Sequence, residues 1–238
     1  MNKQFGRIGV TLLLIASGAP LARAQFEHPD LKSGKMVVHK VHILPAEARV
    51  IKSGMKGGES LIEESRMVEA TLPAVITKAL QDKGCAVLEN AFTPAALEKD
   101  QDLKYALADI QGRFDSLRQH LDKKPKDVRK GRYTMGDEVS KFNPGAAADA
   151  LVFVRAEGML NTGGKKAFAT VFGGLSGAMA TRNSIMVNIA VVDAQSGAVL
   201  YYGRAIATGN FVNQPEHMSK PIEESFKEFG AAPTNKKR

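Results

Sequence analysis

The sequence predicts a single three-layer α/β domain over residues 36–229, built on a mixed sheet of about five strands with an antiparallel hairpin near its C-terminal end. Three observations carry this expectation. Alternating apolar residues from Met36 to Leu44 form a strand that a helix and a further strand follow. Leu151 to Ala156 is almost wholly apolar, the pattern of a strand covered on both faces. Two alternating segments, Ser184 to Val192 and Ala198 to Thr208, flank the turn Asp193-Ala194-Gln195-Ser196-Gly197. Right-handed crossovers make the first three strands parallel, and the hairpin adds an antiparallel wing.

The chain begins with Lys3 and Arg7 ahead of an apolar run from Ile8 to Ala16, then Gly18, Pro20 and the small residues Ala22 and Ala24 around Arg23. Such a run cannot cross about 30 Å of hydrocarbon as a stable helix. Residues 1–24 therefore read as a signal peptide cleaved near Ala24, and the remaining protein as periplasmic or secreted. No cysteine stands at the end of this leader, which closes the route to lipid attachment. Cys85, the only cysteine, excludes an internal disulfide, and its place in Cys85-Ala86-Val87-Leu88 marks it as a buried hydrophobe rather than a reactive thiol. The formal charge of +8 includes three basic residues of the leader, so 30 Lys and Arg remain against 25 Asp and Glu, a surplus of 5.

Residues 25–35 are polar and read as a flexible lead-in. After the first strand the chain is broken as far as Gly58 by Pro45, Gly54, Gly57 and Gly58, and a helix opens near Glu59 with acidic residues suited to its dipole. Leu61, Val68, Leu72, Val75, Ile76, Ala79 and Leu80 share one face of it, Pro73 predicts a kink or restart, and Gly84 ends it. Cys85 to Glu89 is the next strand. Thr93-Pro94 then starts a long helix whose stripe of Leu103, Leu107, Ile110, Phe114, Leu117 and Leu121 is expected to lie on the sheet, the alternative being a zipper to another helix. Pro125 terminates it, and Asp137 caps a short helix ending before Asn143-Pro144-Gly145. Asp193 and Gly197 shape the hairpin turn, the first by bonding its own backbone and the second by taking a positive φ. A last helix from about Pro215 to Phe229 aligns Met218, Ile222, Ser225, Phe226 and Phe229, and residues 230–238 form a disordered basic tail.

No catalytic, metal or cofactor site emerges from the residue pattern. His28, His39, His42, His120 and His217 show no metal-ligand spacing, and His39 and His42, three apart on a strand, point to opposite faces. Gly174-Leu175-Ser176-Gly177-Ala178 lacks the last glycine of a nucleophile elbow and has no apolar strand leading into it. Gly163-Gly164-Lys165-Lys166 lacks the first glycine and the Ser or Thr of a phosphate loop. The run Ala167 to Ala180 carries no charge and places Gly173 and Gly177 at small-xxx-small spacing. It reads as a buried or sheet-packed segment, the sharper alternative being self-association or peripheral membrane contact through residues 165–182. Basic residues gather in Lys123-Lys124-Pro125-Lys126 and Arg129-Lys130-Gly131-Arg132, but without Trp and with Tyr133 as the only neighbouring aromatic, nucleic acid is not the expected partner.

Ala147-Ala148-Asp149-Ala150-Leu151-Val152-Phe153-Val154 and the later Asn188-Ile189-Ala190-Val191-Val192-Asp193-Ala194-Gln195-Ser196-Gly197-Ala198-Val199-Leu200 resemble a pattern in bacterial envelope proteins. That group includes the curli-secretion channel lipoproteins and the outer-membrane lipoprotein activators of peptidoglycan synthases. The resemblance covers most of residues 36–208 and makes this chain similar to a non-lipidated relative of them. It implies an accessory protein acting through binding to another envelope component or to itself, without catalysis. The alternatives are a peripheral membrane-surface binder and an enzyme on an envelope polymer, which would require paired carboxylates, for which Asp137 and Glu138 are candidates, or an activated nucleophile in a cleft.

Overall fold

Strand β6 (Ala150–Asn161) shows why the sheet forms where it does, because Ala150 through Val154 have no exposed surface at all. A strand so apolar is stable only with neighbours on both edges and cover on both faces. The computed structural model describes residues 25–54, 57–161 and 182–230. On one edge β6 pairs antiparallel with β7 (Ser184–Asp193), from Ala150 opposite Asp193 to Met159 opposite Ser184. β7 pairs in turn with β8 (Val199–Thr208), with a register shift between Val191 and Val192. The short β1 (Gln25–Glu27) lies antiparallel on the outside of β8.

The other edge of β6 is occupied by two strands in succession. β2 (Lys40–Ile43) pairs parallel with its start, Ile43 opposite Val152, and β3 (Glu47–Gly54) pairs parallel with its end, Glu47 opposite Arg155. Three residues separate Ile43 from Glu47 while two separate Val152 from Arg155, so the break at Pro45 inserts one extra residue and reverses which side chains face which layer. Val41 and Ile43 face one core, and after the insertion Ala46, Ala48 and Val50 continue on that face. β4 (Gly57–Leu61) folds back antiparallel on β3, and β5 (Ala86–Val87) runs parallel to β2.

The two faces are covered separately. Helix α2 (Ile62–Gln81) and the last helix, α5 (Glu216–Ser225), pack Val68, Leu72, Ile76, Leu80, Met218 and Ile222 on one face. Helix α4 (Gln101–Lys123) packs Leu107, Ile110, Phe114, Leu117 and Leu121 on the other, against Leu44, Leu151, Phe153, Ala190 and Tyr202. The fold is the expected three-layer α/β arrangement with a mixed sheet, and the apolar stripe of α4 lies on the sheet. The five expected strands are present, and β1, β3 and β4 bring the sheet to eight strands among the described residues.

Several local expectations change. The stretch 25–35 is built into the fold through β1 and the helix α1 (Pro29–Lys32), because Phe26 and Leu31 find apolar cover and Gln25 Nε2 donates to the Glu224 carbonyl at 2.5 Å. The glycine-broken stretch holds β3 and β4, and the helix after it begins at Ile62, with Glu59 in β4. It passes through Pro73 without a restart. The helix after Thr93 is two, α3 (Pro94–Lys99) and α4, divided at Asp100, whose extended backbone and carboxylate bond to the Leu103 amide start the second. Asp137 lies inside a 3-10 helix, Asp137–Phe142, that Gly136 precedes, so its side chain caps nothing. The leader 1–24, the segments 163–166, 167–180 and 174–178, and the tail beyond Gly230 lie outside the described residues.

The hairpin turn is made as its residues require. Asp193 Oδ1 accepts from the Ser196 amide at 2.7 Å and from the Gln195 amide at 3.3 Å, and Gly197 adopts φ 72°. A Cβ at Gly197 would strike the Gly136 backbone, whereas one at Gly34, φ 73°, meets nothing within 4 Å. Gly34→Ala should therefore lose only the backbone strain, about 1 kcal/mol, and Gly197→Ala at least about twice that, as read by urea unfolding. Equal losses would show that the Gly136 contact contributes nothing.

Candidate binding site along helix α4

Helix α4 buries one side and leaves the other open, and the exposed side is bordered by a second chain segment. Met135 donates its amide to Gly197 O at 2.8 Å, and Val199 donates to Tyr133 O at 3.0 Å, so residues 133–135 are held against the hairpin as an added backbone. Between them and α4 runs an open groove of about 720 Å³. Ala108, Gly112 and Ser116, one helical turn apart, form its shallow floor, while His120, Tyr133 and Met135 form the far wall. Tyr105 stands at its near end, 71% exposed.

The polar groups of this groove are engaged with one another. Arg113 pairs with Asp109 at 3.0 Å and with Glu138, which also faces Lys141 at 3.8 Å. His120 Nε2 lies 3.3 Å from Asp127 Oδ2, and its ring packs on Tyr133 with centroids 4.8 Å apart. Burial and the nearby Asp127 push the Tyr133 hydroxyl above its ordinary value, so it remains a neutral donor. The Ser116 hydroxyl donates to Gly112 O at 3.2 Å and the Thr134 hydroxyl to Ser196 O at 3.2 Å. Neither is hydrogen-bonded to His120, the arrangement that would activate a nucleophile.

Beyond His120 the groove meets the basic end of α4 and a 3-10 helix, Pro125–Lys130, that Pro125 begins and the left-handed Gly131 ends. Arg129 is used structurally, stacked 5.0 Å over the Phe26 ring and donating to Gln25 O at 3.3 Å. Lys123, Lys124, Lys126, Lys130 and Arg132 are exposed and make no ion pair among the described residues. Five like charges that are unpaired among the described residues raise the local positive potential at this end of α4.

Under α4 lies a polar cluster of a different kind. The residue inserted at Pro45 turns Glu47 toward this layer, where it meets Arg155. Arg155 also forks onto both oxygens of Asp115 on α4. Arg118 reaches Glu157 at 2.8 Å, and Asn188 Oδ1 accepts from Tyr202 at 3.0 Å and Arg204 at 3.1 Å. Burial opposes the charge on Arg155, but Asp115 and Glu47 outweigh it and hold the guanidinium protonated. Burial, with Arg118 nearby, lowers Arg204. Arg155 and Arg118 are matched by Asp115, Glu47 and Glu157, and the cluster fixes α4 to the sheet.

The histidines are dispersed. His28 packs against Gly131, and its Nδ1 accepts from the Asp30 amide. His39 is exposed and His42 is buried on the α4 side of β2. Among the described residues no group of three His, Cys, Asp or Glu side chains is arranged to hold a metal ion, and no helix is long and apolar enough to cross a membrane. Cys85 is buried, its Sγ 3.3 Å from Val38 O, and burial, then Asp149, push its thiol up. Asp137 is exposed and Glu138 is taken by Arg113, so these two acids do not form a catalytic pair. The basic run was visible in the sequence, while the groove was not, because its wall exists only once residues 133–135 dock on the hairpin.

No protein-family model matches the chain, and a comparison with curated proteins finds no match. Among solved structures the chain is similar to the PelC dodecamer from Paraburkholderia phytofirmans, at 11% identity over 88% of this chain and 98% of that one, with a TM-score of 0.36. It is also similar to lipoprotein GNA1162 from Neisseria meningitidis, at 13% identity over 72% of this chain and 83% of that one, with a TM-score of 0.35.

Two outcomes follow from these charges. Burial holds the His42 imidazole below its ordinary 6.5, and the Glu89 backbone, which acts in the opposite direction, is the smaller influence. The unfolded chain therefore binds this proton first, so the stability His42 contributes is complete above that value and is lost as pH falls through and below it. Thermal melts from neutral pH downward should show this decline, and His42→Leu should flatten it; an unchanged slope would assign the acid sensitivity elsewhere. Arg155→Met strands Asp115 and Glu47, both partly solvated, and should cost about 1–3 kcal/mol in denaturant unfolding, less than a fully buried pair would.

Proposed function

We propose that the protein is an exported, non-enzymatic accessory protein of the bacterial cell envelope that acts by binding another envelope component or a second copy of itself, through the outer side of α4. One observation carries this reading: an open groove continuous with five unpaired cations, in a domain whose other clustered charges are matched. A binding role is further supported by Ser116 and Thr134, whose hydroxyls are committed to backbone carbonyls, and by Asp109 and the neighbouring Glu138, which are committed to Arg113. The five cations also favour a second reading, contact with an anionic membrane surface, where each adds about 1 kcal/mol and the sum falls with ionic strength.

A photo-crosslinking residue at Ser116, in the processed protein in cells, should give one dominant adduct, and the same residue at Met67 on the far side of α2 should not. Equal, diffuse labelling from both positions would remove the binding reading. Flotation with phosphatidylglycerol vesicles against phosphatidylcholine vesicles separates the second reading. Salt-sensitive binding to the first alone, lost in a Lys123→Glu, Lys124→Glu, Lys126→Glu variant, supports it, and binding indifferent to lipid charge counts against it.

A further inference from the structure

We infer that the leader is removed before the domain closes, so that the chain is exported unfolded and folding itself seals the processing junction. The inference rests on the reading of residues 1–24 as an export signal cleaved near Ala24, and it adds the order of events. A cut after Ala24 makes Gln25 the first residue of the processed chain. Gln25 and Phe26 are each only 9% exposed, and β1 is paired from its first residue, with Gln25 opposite Gly203 and Phe26 opposite Tyr202. The side of the junction that has to enter a peptidase is therefore already taken by the sheet.

Contacts from three elements hold this residue. Gln25 Nε2 donates to the Glu224 carbonyl on α5 at 2.5 Å, and β8 lies along its backbone. Its own carbonyl accepts from Arg129 at 3.3 Å, and that guanidinium is stacked 5.0 Å over the next side chain, Phe26. The pairing continues past the end of β1, where the His28 amide donates to Leu200 O at 2.8 Å. Phe26 belongs to the core under α4 and Leu31 to the core on the opposite face, so residues 25–31 are packed into both layers at once. Releasing them uncovers both cores. A peptidase takes extended backbone that has no other partner, so on the folded domain its rate follows the small population in which this segment is open.

The leader points to the same order. Its two basic residues ahead of the apolar run, Lys3 and Arg7, stand three residues apart, so it lacks the adjacent arginines of a twin-arginine signal, the kind that exports folded proteins. The boundary matters as much. A flexible lead-in over residues 25–35 would leave the junction open after folding, whereas β1 begins at the cut itself and closes it.

The test uses the full precursor beside a second one that carries a spacer of about ten Gly and Ser residues, roughly 30 Å when extended, between Ala24 and Gln25. Each is given to a detergent-solubilised leader peptidase, once on dilution from urea and once after refolding, and the products are read by mass. From urea both should be cut at the same rate, the native junction yielding a chain that starts at Gln25. After refolding, the native junction should be cut at least about tenfold more slowly than the spacer form. Phe26→Ala combined with Arg129→Ala, which loosens β1, should restore much of that rate. A native-junction precursor that does not fold while the spacer form does would also support the order, because leader and closed domain are then incompatible. Equal rates for the two refolded precursors would overturn the inference and leave the export reading standing. A native junction that stays uncut even from urea would overturn both, and neither result alters what the Ser116 crosslinker reports.

Discussion

The architecture depends on one strand that must be apolar on both sides and then cease to be. From Ala150 to Val154, β6 has no exposed surface, which demands a helix layer above and below and a strand on each edge. At Arg155 the same strand turns charged while still beneath α4. A partly buried guanidinium there is favourable only if acids reach it, and they come from two elements, Asp115 on α4 and Glu47 on β3. The second is available because the chain inserts one extra residue at Pro45, without which Glu47 would face the opposite core. A single irregularity in the strand beside β6 thus sets both the phase of β3 and the seat of α4.

The hairpin contributes the other wall of the groove beside α4, and it does so through its turn. Asp193 closes that turn by accepting from the backbone two and three residues on, and Gly197 passes through a positive φ that leaves room for the Gly136 backbone. That close approach lets residues 133–135 run alongside Gly197 and Val199, which places Tyr133 against His120 and gives α4 a facing wall. The groove is thus a consequence of hairpin geometry as much as of the helix it borders. Residues whose own role is structural thereby decide whether the surface exists.

Much of this was legible in the residues because the signals were local and repeated. The β6 run, the two hairpin strands with Asp193 and Gly197 between them, and the α4 stripe each repeat one pattern over several turns or strand pairs, and each is found as expected. The misses have physical causes. β3 alternates only over Glu47-Ala48-Arg49-Val50 before Lys52 and Gly54, and β4 opens on Gly57 and Gly58, so the strand signal is too short to stand out among the glycines until β3 finds the edge of β6 and β4 the edge of β3. In 25–35 two apolar residues among polar ones look like a linker until β8 offers an edge. Asp100 divides a helical pattern because its carboxylate is better placed as a cap than in an interior turn, a choice that composition alone leaves open. Of the candidate site, the cations were visible as a run of letters, but their lack of partners and the groove beside them are tertiary facts.

The division of charge argues for function by contact. Beneath α4 the charged groups are brought close to opposite charges and partly shielded from water, so their interactions are short-ranged and insensitive to salt. At the end of α4 the opposite holds: five exposed cations share one corner and make no ion pair among the described residues, and their field extends into solvent for about a Debye length of 8–10 Å. A fold gains nothing in its own stability from concentrating like charges, since their mutual repulsion opposes the compact state. The arrangement is favourable only once something negative arrives.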